Sequence, residues 1–272
     1  LPLDVEALLA EMPDVEVLDL SSLPNVDFDD DLLQAISGLG SVRILDLSSN
    51  GLDNMNGFTL PRSLQELDLS GNSFDTNPLV FPPGNSLEQL LLDDNLFRAL
   101  NDGEFFGANN LTGLSIRNNF IVFIESGAFD GLDALQVLDL SQPAQGNVTY
   151  PADVLRGLLS LTAINWCIED CPQGFVSAFS NGGSICLPCP QGTFSLGGDT
   201  SLLSCEPCDA GAIDSDFDPV TECVACPVDT YSSAGSAGAC TNCTGAQLDD
   251  DMDPSTPCVT CMAGTYANRT SR

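Results

Sequence analysis

Apolar residues in the first half of this chain recur at fixed offsets. Val42–Leu52 reads V-R-I-L-D-L-S-S-N-G-L, with apolar residues at the first, third, fourth, sixth and eleventh places and Asn at the ninth. The same frame returns at Leu64–Phe74, Leu87–Phe97 and Leu111–Ile121, at spacings of 22, 23 and 24 residues. Alternation over the first six places predicts a short strand with one buried face. The Asn predicts a turn away from that strand, its amide satisfying backbone groups that a buried turn leaves unpaired. A fixed period of this length marks a solenoid of stacked units. Asn50, Asn72, Asn95 and Asn119 are therefore expected to stack as an internal ladder with a structural role.

Fainter copies extend the series at both ends. Val15-x-x-Leu18-x-Leu20 opens it but has Leu23 where the Asn is due. Leu135-x-x-Leu138-x-Leu140 has Pro143 there, which predicts a bulge over 142–150, and Leu161-x-x-Ile164-x-Trp166 closes the series. Terminal units depart from the pattern because one side meets solvent. The segment Leu1–Met12, with Leu3, Val5, Leu8, Leu9 and Met12, is expected to be short and helical or irregular and to cover the first apolar face. Trp166 is expected to pack at the far end.

A second periodicity begins at Cys167. All 12 cysteines lie between Cys167 and Cys261, as five C-x-x-C pairs (186/189, 205/208, 223/226, 240/243, 258/261) and the wider pair 167/171. No pair sits in a βαβ context, which argues against redox chemistry, and so many pairs favour disulfides over zinc. Cys205, Cys208, Cys223 and Cys226 each recur 35 residues later. A four-cysteine unit of that length predicts first-to-third and second-to-fourth bonds: Cys167–Cys186, Cys171–Cys189, Cys205–Cys223, Cys208–Cys226, Cys240–Cys258 and Cys243–Cys261. The alternative closes single loops (171–186, 189–205 and onward) and leaves Cys167 and Cys261 over. Such units are too small to bury a core, so the bridges replace one. Domains are expected at 1–166 and 167–272, the last cysteine unit being cut short, with more repeats expected to follow in a longer parent.

Composition narrows the class of partner. The 272 residues include 39 Asp and Glu against seven Arg, with no Lys and no His, for a net charge of −32. Phosphate binding needs a basic footprint, so nucleic acid is not expected, and anionic membrane is disfavoured for the same reason. Without His, the usual general base is missing, and no enzyme is expected. No apolar run approaches the length of a membrane span. The cysteine framework implies an oxidising, extracellular or cell-surface setting. The sequons at Asn110, Asn147, Asn242 and Asn268 agree with it.

The repeats of residues 1–166 resemble extracellular leucine-rich repeats; Phe123-Ile-Glu-Ser-Gly-Ala-Phe129-Asp-Gly-Leu132 is similar to the returning half of their 24-residue type. Cys189-Pro-Gln-Gly-Thr-Phe-Ser195, echoed at Cys226–Ser232 and Cys261–Tyr266, resembles the cysteine-rich repeats of ephrin-receptor-like and tumour-necrosis-factor-receptor-like proteins. The resemblance implies a solenoid with a parallel sheet on its concave face and a mostly irregular convex side, followed by an elongated disulfide-held stalk of small β elements. It also implies recognition, adhesion or assembly rather than catalysis. The four-cysteine cap common in animal members is missing, and the lack of Lys points to a microbial source.

Two groups of residues are candidate sites. The column between the second and third apolar places reads Asp19, Asp46, Asp68, Leu91, Ser115, Asp139, Asn165, and two places on come Asp93 and Arg117. Stacked strands lie about 4.8 Å apart, so Asp19, Asp46 and Asp68 would form an acidic ladder that a cationic partner relieves. Asp93 and Asp139 extend it, and Arg117 interrupts it as a polar anchor. Asp214-x-Asp216-x-Asp218 and Asp249-x-Asp251-x-Asp253 have the one-three-five spacing of calcium loops. Pro219 and Pro254 replace the Gly of an EF-hand, so solvated turns are the default and calcium the one candidate cofactor. The function expected is an extracellular recognition or adhesion module for a protein or glycan. The alternative is a subunit that polymerises with copies of itself into a surface filament, mastigoneme-like hair or wall layer of a protist or alga.

Overall fold

The computed structural model describes residues 5–23, 26–141, 148–151, 154–165, 171, 173–180, 183–195, 205–244 and 247–262. The chain divides into two compact units, Leu1–Glu169 with Phe179–Ile185, and Asp170–Ala178 with Cys186–Arg272.

The first unit is a leucine-rich-repeat solenoid. Its rungs carry the parallel strands Val17–Asp19, Ile44–Asp46, Glu66–Asp68, Gln89–Leu91, Gly113–Ser115, Val137–Asp139 and Ala163–Asn165, neighbours in the sheet in that order. Each strand is three residues long, with its middle residue buried. The register is in phase throughout, so Leu18, Leu45, Leu67, Leu90, Leu114, Leu138 and Ile164 form one inward column. The other apolar places add Val42, Leu64, Leu87 and Leu111, then Leu47, Leu69, Leu92 and Ile116, all at most 1% exposed. Phe74, Phe97 and Phe105 fill the space behind them. Full burial of a side chain of this size is worth roughly 1.5–3 kcal/mol.

The turn after each strand has a common device. The residue just before the ladder place sits in the left-handed region at Ser49, Gly71, Asp94 and Asn118 (φ 54–67°). This turns the following Asn inward. Asn95 Nδ2 then donates to the carbonyls of Leu69, Leu92 and Asp93 (3.0–3.2 Å), and its Oδ1 accepts from the Phe74 amide at 3.1 Å. Asn72 and Asn119 repeat this, donating to the carbonyls of Leu47 and Leu92 and accepting from the amides of Leu52 and Phe97, all on the preceding rung. At the first rung Leu23 needs no amide of its own, because its N–H takes the Asn50 Oδ1 at 2.8 Å.

Two helices precede the second rung, one in the opening segment expected to be helical or irregular and one between the first two rungs, where the repeat pattern predicts none. α1 spans Val5–Glu11 and buries Val5 and Leu9; α2 spans Asp30–Ser37, packs against it, and buries Leu32, Leu33 and Ile36. Asp29 caps α2 by accepting from the Leu32 amide at 3.0 Å, and Asp30 and Asp31 fill its first turn. Negative charge there complements the exposed amides of the helix start.

The second unit is a chain of small loops, and it corrects the expected disulfide pairing. The bonds are Cys171–Cys186, Cys189–Cys205, Cys208–Cys223, Cys226–Cys240 and Cys243–Cys258, each closing one loop, with Cα separations of 5.5–5.8 Å. This replaces Cys171–Cys189, Cys205–Cys223, Cys208–Cys226, Cys240–Cys258 and Cys243–Cys261. Cys167–Cys186 is replaced as well, because Cys186 is taken by Cys171; Cys167 itself lies outside the described residues, and Cys261 is a free thiol. The reason is the strand inside each C-x-x-C. Glu206–Pro207, Val224–Ala225, Thr241–Asn242 and Val259–Thr260 each pair antiparallel with a strand in the same loop. Successive side chains of a strand alternate faces, so cysteines three apart point oppositely. One turns back into its own loop and the other opens the next. First-to-third pairing needs both on one side. The third residue after each opening Cys has positive φ (Gly174, Gly192, Gly211, Asp229; 65–88°). Its carbonyl accepts from the next opening Cys amide at 2.8–3.0 Å.

Trp166, the 142–147 part of the predicted bulge with Pro143, and the sequons at Asn147 and Asn268 lie outside the described residues.

Candidate binding face on the concave sheet

Register sets the composition of the concave face. Asp19 stands beside Asp46, Asp46 beside Asp68, and Asp68 beside Leu91; Ser115, Asp139 and Asn165 complete the column. The carboxylates are half-occupied by their own backbone. Oδ1 of Asp19, Asp46, Asp68 and Asp139 each accepts the amide two residues on, at Ser21, Ser48, Ser70 and Ser141 (2.8–2.9 Å). These bonds hold the Asp19 carboxyl below its ordinary range, the Ser21 amide contributing most and the Ser21 hydroxyl next. Asp139 also takes Asn165 Nδ2 on its second oxygen at 2.9 Å.

On the fourth rung the pattern shifts by two residues. Leu91 takes the Asp place, and Asp93, only 7% exposed, turns inward. It accepts from the Ser115 hydroxyl and the Arg117 amide, and pairs with the Arg117 guanidinium at 3.1 Å. Arg117 is therefore a brace between rungs rather than an open anchor.

A third column was missed by the sequence reading. Val17, Ile44, Glu66, Gln89, Gly113, Val137 and Ala163 face the same side, before the Asp column. Val17, at 61% exposed, and Ile44, at 38%, leave apolar floor in this column beside Asp19 and Asp46, and Glu66 follows them on the third rung. Glu16, Val17, Ile44, Glu66, Glu88 and Gln89 line a shallow cavity of about 230 Å³, of which the Asp19–Asp46–Asp68 column is not part. Arg43, also on its lining, is held by two bonds to Gln65 Oε1 at 2.8 and 2.9 Å. The signal was legible: the third place of the frame is a strand position, and an exposed Val and Ile there have no core to fill.

The D-x-D-x-D segments are built as turns. Oδ1 of Asp216 and Asp251 each accepts the amide two residues on and the Thr hydroxyl five residues on, at Thr221 and Thr256. Asp218 and Asp253 do likewise with the amides of Val220 and Ser255. Phe217 and Met252 have positive φ between them. The Asp253 amide is the main reason the exposed Asp251 carboxyl lies below its ordinary range. Asp214 and Asp249 reach instead to the previous loop, accepting from the amides of Gly192 at 3.0 Å and Asp229 at 3.4 Å. Among the described residues no three acidic or cysteine side chains gather where they could hold a metal ion. Of the sequons, Asn110 and Asn242 are exposed; Asn110 also donates to the Asn85 carbonyl at 2.7 Å.

Leucine rich repeat family models match residues 63–83 and 85–142. No curated protein matches the chain. Among solved structures, the chain is similar to the crystal structure of a TLR13–ssRNA13 complex, at 18% identity and a TM-score of 0.22. That alignment covers 59% of this chain and 37% of the other. The fold is that of a leucine-rich-repeat solenoid joined to a disulfide-rich region. No described helix is long and apolar enough to cross a membrane.

Proposed function

We propose that this chain is a non-catalytic extracellular recognition module whose concave face binds a basic segment of a protein partner. The observation that carries the reading is the first three rungs, where Asp19, Asp46 and Asp68 stand in register beside the exposed Val17 and Ile44. Aligned carboxylates about 4.8 Å apart disfavour one another, and a row of Arg or Lys on a partner relieves that while an apolar side chain covers the floor. A phosphate backbone would meet the same carboxylates with the wrong sign, which favours protein over nucleic acid. Five disulfides support an oxidising, extracellular setting. The exposed sequons at Asn110 and Asn242 are proposed as glycan attachment points.

Random peptide display against the intact chain tests this. Enriched peptides are expected to carry at least two basic residues around an apolar one. The variant for control is Asp46→Asn with Asp68→Asn, because Asn keeps the Oδ1 acceptor for Ser48 and Ser70 while removing charge. It should bind the selected peptides about tenfold more weakly or worse at unchanged melting temperature. Peptides of neutral or acidic composition, or affinity untouched by the double variant, would overturn the reading.

A further inference from the structure

The flank of the solenoid just past the Asn ladder carries a second surface. Backbone bonds from Ser73 N to Leu52 O, Leu96 N to Phe74 O, Phe120 N to Phe97 O and Val122 N to Arg98 O hold these segments side by side on rungs two to five. The two outward columns then read down the rungs as Gly51, Ser73, Leu96, Phe120 and as Asp53, Asp75, Arg98, Val122. Between them lies a buried column of Leu52, Phe74, Phe97 and Ile121. The outward positions change character halfway. On rungs two and three they are small and acidic; on rungs four and five they are large, apolar and basic. Leu96 is 45% exposed, Phe120 55%, Val122 53% and the adjacent Phe123 41%, an apolar patch on neighbouring rungs that a lone chain leaves wet. Gly51 has the opposite property: a Cβ built there meets nothing within 4 Å. Among the described residues Arg98 has no carboxylate close enough for an ion pair.

We propose that this flank pairs with the same flank of a second copy, antiparallel, about a two-fold axis between rungs three and four. Such an axis reverses the order of rungs and keeps each column facing itself. Phe120 of one copy then lies over Gly51 of the other, Leu96 over Ser73, and Arg98 opposite Asp75. Large meets small at Phe120 and Leu96 and positive meets negative at Arg98, each twice, as a self-complementary isologous patch requires, while Val122 falls beside Asp53 at the rim. The occupant is a second copy rather than an unrelated protein because both halves of the complement are present on one flank, in the order the axis needs. The surface lies on the flank of the rungs, apart from the Asp19–Asp46–Asp68 column, so it stands independently of the concave-face reading.

Sedimentation equilibrium of the intact chain gives the test. Wild type is expected to reach dimer mass at concentrations on the order of 10–100 μM, as suits a small interface. Phe120→Asp should weaken association about tenfold or more with an unchanged circular dichroism spectrum, since the side chain supports no core. Arg98→Asp and Asp75→Arg alone should each weaken it similarly, and the two combined should restore it, because the swap rebuilds both cross-copy pairs. A chain that stays monomeric to about 300 μM overturns the proposal. So does a combined variant as weak as either single one, or loss of a different partner's binding on Phe120→Asp in a monomeric wild type.

Discussion

The ladder Asn residues show how much one side chain can carry. Asn95 is 1% exposed and serves three carbonyls and one amide, none of which water can reach. Asn95→Ala is expected to cost about 3 kcal/mol, the upper end for leaving buried polar groups unpaired. Asn50, half-buried at the edge, should cost about half that on replacement; denaturant unfolding at constant m-value measures both. The ladder was legible because its chemistry is local and repeats in phase. The role of Arg117 was not, because it depends on Asp93 having been displaced inward by Leu91 on the preceding rung. Asp19 permits a cleaner test of charge. Its folded pKa is depressed, so its ionised form stabilises the fold above the unfolded value near 3.9 and that contribution is lost as pH falls through the lower, folded value. Asp19→Asn keeps an acceptor for Ser21 and cannot titrate. The stability difference between wild type and Asp19→Asn should therefore be constant above pH 5 and shrink progressively in acid. A difference that grows in acid would mean the carboxyl is destabilised in the folded chain.

At the scale of elements, the strands could be read from the frame and the loops could not. α2 had every start signal, from Asp29 through Asp30 and Asp31 to the spacing of Leu32, Leu33 and Ile36. A repeat-centred reading passes over it because it falls between two rungs. Asp29→Ala should cost about 1 kcal/mol of stability in thermal or denaturant unfolding. The disulfides make the sharper case. The 35-residue sequence period is real, but it spans two closed loops rather than one unit. What decides the pairing is the two-residue strand inside each C-x-x-C, and strand direction is not visible in spacing. Non-reducing peptide mapping should recover Cys189 linked to Cys205 and Cys226 linked to Cys240. Gly192 and Gly113 separate backbone from side-chain constraint within these elements. A Cβ at Gly192, where φ is +78°, would strike the Gly235 backbone carbonyl, whereas at Gly113 it meets only the tip of Gln89. Gly192→Ala should lower the melting temperature measurably, and Gly113→Ala should be absorbed by a swing of Gln89.

For the whole molecule, charge separates the two proposed surfaces. Any two copies carry −32 each and repel at long range, so added salt removes a barrier to their approach. The Arg98–Asp75 contact between copies would be screened too, but an exposed pair of this kind is worth at most about 1 kcal/mol. The apolar contacts of Leu96 and Phe120 are not weakened by moderate salt. Dimerisation should therefore tighten between about 50 and 500 mM NaCl, a range over which the screening length falls from roughly 14 to 4 Å. Binding of a basic peptide to Asp19, Asp46 and Asp68 has the reverse dependence, because the long-range attraction between unlike charges is what salt removes. Titrating one selected peptide into the Phe120→Asp variant, which should stay monomeric, and following wild-type self-association in the same buffers should give slopes of opposite sign. If both interactions weaken together, self-association is electrostatic and the apolar flank is not its source. If both strengthen, the peptide is held by Val17 and Ile44 rather than by the carboxylates beside them.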